Sequence, residues 1–123
     1  MGYFLDEHLI ITSFEKDVLD VIRVKLIEKI AKNLLDDDYG KPQQTAKQFI
    51  PPVITTLANT SYILYFPMDG SKEGWTTSND MDDVRAWLYR EVDKINAKDD
   101  KNHIGVIRIE NCDYNGLSVE KIE

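Results

Sequence analysis

Leu19, Ile22, Leu26, Ile30 and Leu34 recur at spacings of three and four, which on an α-helix places them on a single stripe. No other feature constrains the fold so strongly. Val18, Val21, Val24, Ile27, Ala31 and Leu35 widen that stripe. A helix this broadly apolar packs on a sheet over most of its width or also meets a partner. The pattern predicts a helix from Phe14 to Leu35. Thr12-Ser13-Phe14-Glu15 ahead of it matches a capping box, in which Thr12 and Glu15 each satisfy an orphan backbone group. Gly40 and Pro42 close the segment, glycine as a left-handed cap and proline as a residue that cannot extend it.

The sheet to receive such a helix is written in β-branched and aromatic runs. Tyr3 to Thr12 reads as a strand, interrupted or bent around Asp6-Glu7. Pro51-Pro52 blocks helix and suits entry to a strand. Val53 to Leu57 and Ser61 to Phe66 then read as a hairpin. Residues 49 to 77 carry only Asp69, Lys72 and Glu73 as charged groups, so both strands are expected in central positions. One face would lie on the helices, and the other would carry either Tyr62 and Leu64 or Ile63 and Tyr65 outward.

A second helix is expected from about Ser78 to Ala97. Met81, Val84, Leu88, Val92 and Ile95 form its buried stripe, with Trp87 alongside. Ser78, Asn79 or Asp80 would cap it, and Asp80, Asp82 and Asp83 would load its first turn. His103 to Cys112 reads as a mostly buried strand, in which Ile107 and Ile109 fall out of step with Ile104 and Val106. Asn115-Gly116 signals a type I′ hairpin. Leu117, Val119 and Lys121 would share one face of a short edge strand. The order β-α-β-β-α-β, with an added C-terminal edge strand, predicts an α+β two-layer sandwich of ferredoxin-like type. At 123 residues the whole chain, 1–123, is expected to form a single domain.

Composition excludes more than it assigns. The chain has 22 acidic and 15 basic residues, a formal charge of −7. That balance opposes direct contact with nucleic acid and with anionic membrane surfaces. Lys25, Lys29 and Lys32 do share a helical face, but Glu28 sits beside them and the face reads as solvated. Cys112 is the only cysteine, so neither an intramolecular disulfide nor a Cys-rich metal set is available. The N-terminal segment lacks a basic leader, and no apolar run reaches membrane-spanning length. A cytoplasmic protein is the expectation.

Catalytic equipment is sparse. His8 and His103 are the only histidines, both expected on strands, and Cys112 has no base nearby in sequence. Gly70 and Gly74 do not make a phosphate-binding loop, which would need GxxxxGK[ST]. Asp36-Asp37-Asp38 lacks the alternating ligands of a calcium loop. No catalytic, cofactor or metal site is therefore assigned.

The long connection at 67–79 stands out instead. It carries Trp75, and Asp69, Glu73, Asp80, Asp82 and Asp83 surround it. An aromatic anchor in an acidic rim suits a basic partner surface. The expected function is that of a small non-catalytic protein of inhibitor, immunity or adaptor type, bound to a partner protein with a basic face. Two alternatives stand beside it. The acids could imitate a nucleic-acid backbone, or a pocket between sheet and loop could hold a small ligand or substrate near His8, His103, Tyr62 or Tyr65. An open sheet face would also permit homo-oligomers.

Overall fold

A computed structural model describes residues 5–33, 41–57, 61–68, 76–98, 103–112 and 116–123. Its centre is strand β1 (Leu5–Ser13). Period-two alternation sends Leu9 and Ile11 to one face, where both are fully buried, and His8, Ile10 and Thr12 to the other. The strand runs unbroken through Asp6 and Glu7, which pair with Asn111 and Glu110. The expected interruption is absent because the charge of Glu7 is met by arginines from other elements, as described below.

Helix α1 (Lys16–Asn33) follows. Its cap is Ser13, whose Oγ accepts from the Glu15 backbone N–H at 3.0 Å; Thr12 is committed to the β1 ladder. Leu19, Ile22, Leu26 and Ile30 are buried as the stripe requires, while Val21 and Val24 remain exposed. Ile27 and Ala31, also buried, belong to a helix that packs against both the sheet and helix α2 (Pro42–Phe49). The sequence pattern, which uses Pro42 only as the close of the preceding helix, gives no sign of it. Pro42 occupies its first turn, the one helical place where a missing N–H and a fixed φ do no harm. Arg23 of α1 then holds the exit from α2, donating from Nε to Pro51 O and from Nη2 to Ile50 O, each at 3.0 Å.

Strand β2 (Ile54–Thr55) is only two residues long and lies at the sheet edge, not centrally as expected. Pro51-Pro52, one residue ahead of it, cannot donate ladder hydrogen bonds, which limits extension of the pairing. Strand β3 (Tyr62–Phe66) takes an inner place. Helix α3 (Thr76–Lys98) begins earlier than expected, so Ser78, Asn79 and Asp80 lie within it. Strands β4 (Gly105–Cys112) and β5 (Gly116–Lys121) complete the sheet.

The five strands are ordered β2-β3-β1-β4-β5, and every pairing is antiparallel. Among the described residues the result is a mixed α/β structure of three helices and one antiparallel sheet. Leu9, Ile11, Leu64, Phe66 and Val106 of the sheet form one cluster with Leu19, Leu26 and Ile30 of α1 and Val84, Leu88 and Val92 of α3. Each such side chain contributes about 1.5–3 kcal/mol on burial. At the last hairpin, Gly116 pairs with Cys112 and has φ of 70°. Gly116 thus takes the left-handed conformation that glycine allows; Asn115, the other half of the expected type I′ turn, lies outside the described residues.

Candidate protein-binding face

All three helices contribute buried residues to the cluster on one side of the sheet. The opposite face has no helix packed on it among the described residues. The register assigns its members. Ile10 of β1 lies between Tyr65 of β3 and Ile107 of β4, and His8 lies beside Ile109. Ile63 meets Ile54 at one edge, and Ile109 meets Val119 at the other. Of the two alternatives for β3, Ile63 and Tyr65 point outward, whereas Leu64 and Phe66 are buried and Tyr62 packs on the core.

Exposure grows towards the edges. Ile54 is 51% exposed, Leu117 70% and Val119 65%. Ile10, Ile63 and Ile109 between them are half-buried. The polar centre of the face is one pair: His8 Nδ1 and the Tyr65 hydroxyl share a hydrogen bond, and the two rings stack with centroids 5.9 Å apart. Towards the start of β4, a groove of about 290 Å³ is lined by Thr12, Gly105, Ile107, Val119, Lys121 and Glu123, with Val106 at its floor. Glu123 borders it where the β4–β5 pairing continues, Ile122 N–H donating to Val106 O at 2.9 Å. The register also puts Asp6 on this face, opposite Asn111 near the start of β1, and Glu123 lines the groove; between those ends, Lys121 is the one fixed charge among the described residues of the face.

The charged residues gather on the other side, at the end of the sheet where α3 begins. Glu7 is buried there, with Oε2 3.4 Å from Arg85 Nη1 and Oε1 3.6 Å from Arg108 Nη1. Arg85, only 5% exposed, also binds Asp82 at 3.0 Å and lies over the Phe66 ring, 5.4 Å from its centroid. Arg108 reaches Glu110 at 3.3 Å and also binds Glu120. Burial pushes the Glu7 carboxyl above its ordinary range even though Arg85 and Arg108 pull it down. Burial, then the Glu7 charge, pushes the Tyr89 phenol up in the same cluster. These carboxylates are committed to guanidinium groups. Among the described residues no group of three His, Cys, Asp or Glu is placed to hold a metal.

The acidic rim read from the sequence is only partly in view. Trp75, Asp69 and Glu73 lie outside the described residues, as does the Asp36-Asp37-Asp38 turn. Asp80, Asp82 and Asp83 fall in the second turn of α3 rather than the first, where the dipole effect fades. They do different things. The Asp80 carbonyl accepts from Asn33 Nδ2 at 3.2 Å, Asp82 binds Arg85, and Asp83 is exposed. His8 and His103 do not meet, since His8 pairs with Ile109 while His103 precedes β4 at its other end. His8 and Tyr65 share the open face, and Tyr62 points to the core side.

The sequence signal for the open face was the step between Val106 and Ile107. It marks a strand with apolar residues on both faces, not a strand buried throughout. No helix among the described residues is long and apolar enough to cross a membrane. Searches against protein-family models, curated proteins and solved structures return no match to this chain.

Proposed function

We propose that this chain is a small, non-catalytic, cytoplasmic protein whose task is to bind another protein through the open face of its sheet. The observation that carries the reading is the face itself. A layer of isoleucine, leucine, valine and tyrosine runs from β2 to β5, with side chains at its rims more than half exposed. Large contiguous apolar patches on a folded surface mark interaction sites. In the same reading the fold is a ferredoxin-like β-α-β-β-α-β sandwich enlarged by α2 and β5. Support for that comes from β1 lying between β3 and β4 with both long helices on one side.

A basic partner engaged through the acids of α3, including one whose groove normally takes nucleic acid, is the second reading. Exposed Asp83 favours it; Asp82, already bound to Arg85, does not. The test is capture of a partner from lysate of the native host on immobilised protein. The double variant Ile54→Lys, Leu117→Lys should lose at least about 90% of the captured partner while its circular dichroism is unchanged. Retained capture by that variant, with loss on Asp83→Lys, would transfer the function to the acidic surface.

A further inference from the structure

We infer that the partner seated on the open sheet face is a second copy of this chain, packed sheet against sheet. The inference rests on the reading of that face as a binding surface and names its occupant. Charge is the first argument. Each copy carries −7, so two copies repel over most orientations of approach. The open face is where that repulsion is least, because acids stand only at its ends, Asp6 at the register position opposite Asn111 and Glu123 beside the groove. Its middle, from Ile54 through Ile10 and Ile107 to Val119, offers a charged partner of either sign little to pair with. Another largely apolar face is its proper complement, and this chain displays one.

Area is the second argument. The five strands contain thirty residues. At about 3.3 Å per residue and about 4.8 Å between strands they cover roughly 480 Å². Two such faces brought together remove roughly 960 Å² in projection, and the relief of the side chains adds to it; a specific interface needs about 1,000 Å². Aligned sheet packing at about 10 Å separation is the geometry available to two twisted antiparallel sheets. The area is that of a small specific interface, whose strength is set by how well the two apolar layers fit.

Sedimentation velocity and equilibrium of the full chain test this. The wild type should pass from 14.2 kDa to twice that mass with rising concentration. Val119→Lys and Leu117→Lys, both at exposed edge positions, should each raise the dissociation constant about tenfold or more. Val24→Lys, equally exposed but on the outer side of α1, should leave it unchanged. Raising salt from about 50 to about 500 mM should tighten the dimer about threefold, since it screens the repulsion between like-charged copies. A monomer at every concentration up to about 1 mM overturns the inference, as does a dimer that Val24→Lys weakens as much as Val119→Lys. If the monomer result is joined by loss of a captured host protein on Ile54→Lys, Leu117→Lys, the binding face stands and only its occupant is wrong. If capture is also unaffected, both fall.

Discussion

Gly105 faces Thr12 across the β1–β4 ladder, and a Cβ there would come within 2.7 Å of Thr12 Oγ1. Threonine is stiff at χ1 and cannot swing aside without loss. Gly105→Ala should therefore destabilise the fold by about 1–3 kcal/mol. Adding Thr12→Ala should recover most of that, a coupling that a double-mutant cycle by urea denaturation would read. Glu7 gives a second prediction at this scale. Its folded pKa lies above the ordinary value of 4.5, so the native state holds that proton more tightly than the unfolded chain. The resulting stability is fully present below 4.5 and is lost as pH rises through the folded value. Glu7→Gln should flatten this part of the stability-versus-pH curve, measured by denaturant titration at stepped pH. Neither residue announced its role in sequence. Glu7 looked like a break in a strand because the two arginines that balance it come from α3 and β4. Thr12 looked like a cap because its ladder partners, Ile63 and Gly105, are equally distant in the chain.

At the scale of elements, the α3–β4 junction hangs on one side chain. Asn96 donates to Ile104 O at 3.0 Å and accepts from Ile104 N–H at 2.7 Å, and its amide also reaches Glu123. Ile104 is fully buried, so its backbone groups have no water to turn to. Asn96→Ala should cost about 2 kcal/mol and leave the hydrogen-exchange protection of β1 and β3 less affected than that of the Ile104 amide. The long elements were legible because burial repeats within them: α1 and α3 keep a helical stripe over many turns, and β1 and β3 are dense in β-branched and aromatic residues. Their ends were less so. α1 starts at Lys16 after a turn in which the Ser13 hydroxyl, not that of Thr12, accepts from the Glu15 N–H, and α3 starts at Thr76, ahead of the polar triplet 78–80 that looks like its cap. The α2 helix was hidden because Pro42 stops a helix from behind yet opens one from in front. β2 was read as central for its lack of charge, but an edge strand whose exposed residues are Ile54 and Thr55 also lacks charge.

The whole molecule separates its chemistry by side. Charged groups collect on the helices and around Arg85 and Arg108, and the open sheet face keeps few, Lys121 and Glu123 beside its groove and Asp6 at one end of β1. The sequence alone divides the charge as −2, −1 and −4 over residues 1–48, 49–77 and 78–123. That division pointed to the start of α3 as the contact site. Tertiary structure redistributes it, because Asp82 spends its charge on Arg85 and Glu7, Glu110 and Glu120 on arginines across the sheet. Linear order cannot report this neutralisation. Local periodicity determined, from sequence alone, that the chain would fold with two long helices against an antiparallel sheet, and composition removed nucleic acid from its expected contacts. Only the tertiary structure decided which sheet face is covered. A strand apolar on both sides satisfies the same sequence pattern whether its second face is packed or bare, and the placement of all three described helices on one side leaves Ile54, Ile107, Leu117 and Val119 on the other.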